Sequence, residues 1–352
     1  MPRSAVLFVG STSDFRLPLR LAFRSSFRLA WLWYREGVSD ASNAAGDQIM
    51  RSLIEGGRAR VVVATATHAV REMVTRHGIG GIPAIALGRS ALAGLLLATL
   101  TKDEEQVTFQ VLGDGPLGGV TVDARSSGRV RGFVKRPHAV VWDKKLADSF
   151  PIAIGDAIGK NGVVSVIRDL GMAQNYAGQV ALASGEIDQE VENYLVTSEQ
   201  IDSVVHCDVL VDADGNITAA AGMLVQTLPQ AHGAAMVEFL RDSLRGPAFS
   251  QVLTEALAEG SFQAESIARA ALGQTTDDMQ ILDKRPVSFF CPCSRERAES
   301  TLGMLRQDDL KDMLLEDNQA EVTCNFCGAK YRFSEIELER IRRKHDKNTA
   351  QA

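Results

Sequence analysis

Cysteine is scarce. Five cysteines in 352 residues, an odd number, exclude a secreted disulfide scaffold. Positive charge is not in excess either: 38 Lys and Arg stand against 44 Asp and Glu, a net charge of −6 and a pI near 5.6. That balance suits neither a coat for nucleic acid nor an anionic membrane surface. No long hydrophobic run is free of charge. The most apolar stretch, 82–100, has Arg89 and Ser90 at its middle, and a charge there is costly in lipid. A buried core helix over 84–99 is expected in place of a membrane span. There is no internal repeat. What is present, 45% hydrophobic and 23% charged residues, excludes a mostly disordered chain. The length fits two domains or three at about 100–200 residues each.

The first 37 residues differ from the rest. Six arginines against Asp14 and Glu36 give this segment +4 and leave −10 for the other 315 residues. Arg-rich, Ser-containing, acid-poor composition is that of a transit peptide, but arginines interrupt the apolar run and argue against a secretory signal. A misassigned start, with Val38 as the true initiator, or a disordered extension is the favoured reading. Residues 1–46 are therefore expected to lie outside the fold. Without a signal, the protein is placed in a reducing compartment, the cytoplasm.

From about Ser39 to Gln230 strands mix with helices. Val61–Thr67, Val107–Leu112, Val120–Ala124, Val130–Lys135, Val163–Ile167, Val180–Leu182, Val204–Val211 and Ile217–Leu224 read as strands. The short turns between them favour antiparallel pairing. Thr67–Arg76 and Ile187–Leu195 read as helices. From Ala231 to Arg285 the pattern changes to short helices with apolar stripes, around Met236, Phe239 and Leu240, then Phe249 to Leu257, then Phe262 to Ala271. Alanine fills many of their apolar positions, so their stability has to come from docking. From Pro286 to His345 lies a cysteine module. Ser294 is placed to cap a helix through Leu305, Leu310, Met313 and Leu314 mark another, and Ser334–Glu337 is a capping box for a last one.

Four cysteines carry the strongest signal. Cys291-Pro292-Cys293 and Cys324-Asn325-Phe326-Cys327 are two thiol pairs with 30 residues between their inner members. Two such pairs can converge on one tetrahedral ion. Zinc fits four thiolates best, and an iron–sulfur cluster is the chemical rival. Gly328 after the second pair supplies the positive φ that a knuckle turn needs. A closed Cys₄ site keeps no position for water, which argues against hydrolysis. The Cys-x-Cys half is unusual, since structural ribbons use two to four intervening residues. A disulfide across it would close a small, strained ring that is easily reduced again. Bound sulfurs are thiolates, the form oxidants attack, and a domain this small loses folding energy with its metal. Such a site can act as a redox switch on the fold.

The remaining motifs read as structural. Cys207 follows His206 in a strand, so the two side chains face opposite ways and cannot form a nucleophile–base pair. Gly113–Gly118 matches G-x-G-x-x-G, but a strand follows it and no helix N-terminus is offered to a nucleotide. In Arg340–Lys347 the bases trail Glu335, Glu337 and Glu339, as the helix dipole favours. No catalytic constellation emerges, so the protein is expected not to be an enzyme.

Cys291-Pro292-Cys293-Ser294-Arg295-Glu296-Arg297, then Cys324-Asn325-Phe326-Cys327-Gly328 and Tyr331, resemble the zinc module of the redox-regulated 33 kDa chaperonin (heat-shock protein 33) family. Gly113–Pro116, Tyr176–Gly178, Ser184–Glu186, Tyr194-Leu195, Ser198–Gln200 and Gly222–Gln226 with Pro229 match further upstream. The resemblance implies an α+β fold: an N-terminal domain of mainly antiparallel sheet and helices over 47–230, a metastable helical linker over 231–285, a small Cys₄ zinc module over 286–345, and a tail from 346. It implies an ATP-independent holdase for unfolding client proteins. One zinc would be held by Cys291, Cys293, Cys324 and Cys327 in the reduced form. Oxidation would pair Cys291 with Cys293 and Cys324 with Cys327, release zinc, unfold the linker and favour a homodimer. Nucleotide, nucleic acid and membrane are not expected partners. A zinc-ribbon module for protein or nucleic acid and a thiol oxidoreductase using Cys324 and Cys327 are the rival readings.

Overall fold

The computed structural model describes residues 6–9, 46–101, 105–148, 150–169, 176–228, 247–306 and 319–349. In chain order its elements are β1 (Val6–Val9), β2 (Gln48–Ile54), β3 (Ala59–Thr65), α1 (Thr67–His77), α2 (Gly81–Ala98), β4 (Gln106–Gly113), β5 (Val120–Arg125), β6 (Arg129–Val134), α3 (Gly155–Ile158), β7 (Gly162–Asp169) and β8 (Tyr176–Ala181). There follow α4 (Ile187–Glu199), β9 (Ser203–Val211), β10 (Ile217–Thr227), α5 (Pro247–Ala258), α6 (Ala264–Leu272), β11 (Gln280–Pro286), β12 (Ser288–Phe289), α7 (Arg295–Leu302), β13 (Gln319–Cys324), β14 (Lys330–Ser334) and α8 (Glu335–Thr349). The described residues form two units, one within Asn43–Phe290 and one within Cys291–Ala352 that includes β1.

The larger unit is α+β, as expected. A five-stranded sheet runs β11-β2-β3-β10-β9 and a six-stranded sheet runs β12-β6-β5-β4-β7-β8. Every pairing in both is antiparallel except β12 with β6. α2 packs against strands of both sheets, and all 18 of its residues are buried. It is the one described helix long and apolar enough to cross a membrane, and here its apolar surface is consumed by the core. Two glycines permit the close fit. A Cβ at Gly88 would come within 2.8 Å of Val209 on one sheet, and one at Gly94 within 2.9 Å of Val122 on the other.

The five-stranded sheet is covered on both faces, which is why β3 reads as a continuous apolar run with no alternation. Val62 and Ala64 join the core around α2, whereas Val61 and Val63 face α5 and α6. Those two helices lay Phe249, Leu253, Ala256, Ile267, Ala268 and Leu272 on this second face. The expected stripes at 249–257 and 262–271 are therefore helices docked on a sheet. The stripe at Met236, Phe239 and Leu240 and the module helix at Leu310, Met313 and Leu314 lie outside the described residues.

Two expectations need correction. Residues 280–285, assigned to a helical linker, and Pro286, assigned to the cysteine module, form strand β11 on the edge of the five-stranded sheet. The ion pair between Arg51 and Asp283 ties it to β2, and Pro286 sits at its end, where an edge strand tolerates proline. Val6–Val9, assigned to an extension outside the fold, forms a strand parallel to β13. Its four residues are β-branched, aromatic or Leu, and they meet an open sheet edge. Residues 10–45 lie outside the described residues.

At the free edge of the five-stranded sheet, β9 places His206 against the docked helix α5. The His206 ring meets Phe249 edge to face at 4.5 Å. Its Nδ1 is 3.4 Å from Asp188 of α4, Asp208 neighbours it on β9, Arg89 approaches from α2, and Nε2 is buried without a hydrogen bond. Burial holds the imidazole below its ordinary value of 6.5, against the upward pull of Asp188 and Asp208. The docked state thus favours neutral His206. Docking strength is full above about pH 6.5 and falls as the pH drops below it, because the undocked state binds the proton more readily. Amide exchange in 249–258, corrected for intrinsic rate, is expected to accelerate from pH 7.5 to 5.5, and His206→Gln to remove most of that acceleration. Equal acceleration in both chains would assign the effect to other groups.

Candidate metal centre

The four expected cysteines come together. Cys291 and Cys293 lie in the segment between β12 and α7, Cys324 ends β13, and Cys327 lies in the turn between β13 and β14. Their Sγ atoms all lie within 4.8 Å of one another. Cys291 Sγ is 3.7 Å from Cys324 Sγ, and Cys293 Sγ is 3.2 Å from Cys327 Sγ. A tetrahedron of thiolates at a Zn–S distance of about 2.3 Å has edges of about 3.8 Å. The donor set therefore fits one tetrahedral ion, with two ligands from each segment. Among the described residues it is the only metal-capable cluster of three or more His, Cys, Asp or Glu side chains.

Local sequence explains the geometry. Gly328 adopts φ 69°, and its amide donates to the Cys324 carbonyl at 2.8 Å, while the Cys324 amide donates to the Ala329 carbonyl at 2.9 Å. These bonds close the knuckle. In the other half, Ser294 caps α7 by accepting from the Arg297 amide at 3.3 Å. Arg295 then clamps the segment: its guanidinium lies 4.5 Å over the Phe333 ring and donates to the Arg332 carbonyl and to Glu337. One half of the expected capping box is formed: the Ser334 amide donates to Glu337 at 2.9 Å, and the Ser334 hydroxyl donates to the same carboxylate at 2.9 Å. With Arg295 beside it, this holds the Glu337 carboxyl down at about 2, the Ser334 amide being the larger cause. Among the described residues the module's apolar core comprises Ala298, Leu302, Ala320, Val322, Phe333, Leu338 and Ile341.

Crowding four thiols without a counter-ion is unfavourable to ionisation. Sharing of a proton with Cys291 is the main cause that pushes the Cys324 thiol up to about 11, and Cys327 is pushed higher still by Cys291 and Cys324. A divalent cation reverses this logic, because it stabilises the thiolates that otherwise repel one another.

The other candidate residues stay structural. Cys207 is buried on the face of β9 toward α2, opposite His206, and burial pushes its thiol well up. The glycine motif is a hairpin loop between β4 and β5. Amides of Asp114, Gly115, Leu117 and Gly118 already donate to protein carbonyls, and a Cβ at Gly115 would meet Ala157 O at 2.5 Å. Gly113 and Gly115 serve backbone approach to residues 157–159, and Gly118 takes a positive φ against the Arg136 side chain. In the basic stretch, Arg340 pairs with Glu299 and Arg343 with Glu339, each at 3.0 Å.

With this arrangement established, comparison with known proteins is decisive. The family model described as Hsp33 protein matches residues 47–334. The chain belongs to the Hsp33 family. The 33 kDa chaperonin of Listeria welshimeri is 37% identical over 295 residues, covering 84% of this chain and 98% of its own. That of Halalkalibacterium halodurans is 36% identical over 296 residues with the same coverage. The crystal structure of the 33 kDa chaperonin from Thermotoga maritima superposes with a TM-score of 0.74 at 29% identity, covering 85% of this chain and 98% of that one. Membership in the Hsp33 family makes the chain a chaperone by kind, and its clustered thiols agree with a metal site in that family.

Sequence reasoning missed two structural carboxylates, one buried and one half-buried. Glu190, fully buried, accepts amides of Ala183, Ser184 and Gly185. Glu186 accepts those of Ile154 and Gly155 and pairs with Arg89. The Ser184-Gly185-Glu186 match pointed at this loop, but the partners of Glu186 are 31 to 97 positions away in sequence.

Proposed function

We propose that this chain is a redox-regulated, ATP-independent holdase of the cytoplasm. Cys291, Cys293, Cys324 and Cys327 hold one zinc ion when reduced. The single observation that carries the reading is the convergence of a Cys-x-Cys and a Cys-x-x-Cys segment on one tetrahedral set of sulfurs. Bound zinc supplies thiolate stabilisation and folding energy to the module. Under oxidant, each neighbouring pair of thiolates, Cys291 with Cys293 and Cys324 with Cys327, gives two electrons to one hydrogen peroxide, which takes two protons from solvent, and one disulfide and two waters form. Sulfurs so engaged no longer ligate, and the ion leaves.

The domain reading remains 47–230 for the chaperone core, 231–285 for the linker and 286–345 for the switch, with β11 as the sheet-bound end of the linker. Loss of the folded switch releases α5 and α6 from the five-stranded sheet. The face then uncovered includes Met50, Ile54, Val61, Val63, Leu210 and Met223. A broad apolar face of this kind binds unfolding clients without a pocket, and two such faces favour a homodimer.

The test measures zinc per chain and suppression of thermal aggregation in the same samples, before and after peroxide at mild heat. One zinc is expected to leave in step with the gain of activity, and thiol reductant with zinc to reverse both. Zinc retained, or lost with no gain, would return the module to a structural role. Turnover of excess disulfide substrate inhibited by zinc would make it an oxidoreductase, and nucleic-acid binding with a steep salt slope would make it a ribbon module.

A further inference from the structure

The two halves of the sulfur cluster are supported differently. In the knuckle, backbone amides reach the sulfurs: Phe326 N–H bonds Cys324, and Ala329 N–H bonds Cys327. In the Cys-x-Cys half the intervening residue is Pro292, which has no N–H to offer. Here a side chain supplies the donor. Tyr331 Oη donates to Cys293 Sγ at 3.2 Å. Tyr331 is held for this role by β14, where it pairs with Val322, and its ring packs on the module's apolar core.

A Cys₄ site around a divalent ion carries a net charge of −2. Hydrogen bonds to its sulfurs draw off that charge, strengthen the site and reduce sulfur nucleophilicity. We propose that Tyr331 is a positioning residue of the switch, whose hydroxyl anchors Cys293 and restrains its attack on peroxide, so that this one bond sets how readily the Cys-x-Cys half is oxidised. In that attack Cys293 sulfur forms a bond to one peroxide oxygen as the O–O bond breaks, and the departing hydroxide is protonated to water. The Cys291 sulfur then forms the S–S bond, the S–O bond breaks, and the departing hydroxide takes a proton from solvent and leaves as a second water. The two sulfurs lose two electrons and hydrogen peroxide gains them. Before oxidation, a phenol O–H directed at the Cys293 sulfur occupies the electron density that the attack requires.

The inference rests on the zinc-switch reading, and the experiment separates the two. Wild type, Tyr331→Phe and Val322→Ala are compared as full chains. Val322→Ala loosens the same strand pair and leaves the hydroxyl in place. Three quantities are read: zinc transfer to a chromogenic chelator without oxidant, the rate at which Cys293 becomes unavailable to alkylation under hydrogen peroxide, and the thiolate-to-metal charge-transfer band of the cobalt-loaded chain. Tyr331→Phe is expected to accelerate transfer and Cys293 oxidation by about 10-fold or more and to move the band to lower energy. Val322→Ala is expected to lower thermal stability with the band unmoved. Unchanged rates and band in Tyr331→Phe, or equal acceleration by Val322→Ala, would overturn the role of Tyr331 alone. A wild-type chain that takes up no zinc would overturn the switch reading beneath it.

Discussion

Cys324→Ser is expected to abolish stoichiometric zinc binding and to unfold the cysteine module. Among the described residues the module core contains seven buried apolar side chains, two of them alanine, and small cores of this kind lean on a metal for stability. Structural zinc in comparably small modules contributes apparent binding energies of about 10–16 kcal/mol near neutral pH. Removing one of four ligands forfeits the larger part of that energy. It also leaves Cys291, Cys293 and Cys327 crowded together with one ligand too few to close a tetrahedral site. Amide exchange gives the readout. Protection in β13 and β14 is expected to disappear, while β3 and β10, buried between two apolar layers, keep theirs. Cys207→Ala serves as the control, since Cys207 lies in the other unit and is expected to leave zinc content unchanged. Persistent protection of 319–334 in Cys324→Ser would mean that packing alone holds the module.

The cysteine site was legible because its information is local. Two short spacings named the ligands, and the fold only had to bring them together. The core helix was legible for the same reason, as an apolar run too long for a strand and interrupted by a charge. What stayed hidden depended on partners distant in sequence. β11 carries Asp283, Lys284 and Pro286, poor strand formers, and it pairs with β2 because tertiary contacts override propensity. The linker was read as wholly helical for want of those contacts. Arg89 was legible as an obstacle to membrane insertion but not as an anchor, since its partners come from a loop and from another strand. Tyr331 belonged to a recognisable motif, yet its bond to Cys293 spans 38 positions and needs the sheet register to appear.

Arg89→Ala is expected to destabilise the larger unit by about 3–5 kcal/mol, the cost of breaking a buried ion pair from one side. Arg89 is 5% exposed and Asp208 1%. The guanidinium donates to Asp208 at 2.8 Å and to Glu186 at 3.3 Å. Asp208 also accepts from the Ser250 hydroxyl of α5 and from the Val209 amide. β9 is the edge strand of its sheet, so α2 on one face and α5 on the other can both reach this carboxylate. Without Arg89 the carboxylate remains buried with no cation on it, and its cheapest relief is to admit water or a proton at the α5 contact. The damage should therefore reach the docked helix as well as the core. Ser250→Ala isolates that contact. It removes one hydrogen bond to a charged acceptor, about 1.5–3 kcal/mol, and is expected to speed amide exchange in α5 by roughly tenfold or more with little change in β3. Under the holdase reading the same variant should reach full anti-aggregation activity at a lower peroxide dose. Arg89→Met with Asp208→Leu, which removes both charges, is expected to recover much of the global stability lost in Arg89→Ala. It should not recover the docking of α5, because Ser250 then has no acceptor. Global stability recovered together with slow exchange in α5 would show that apolar packing of Phe249 and Leu253 alone holds the helix on the sheet.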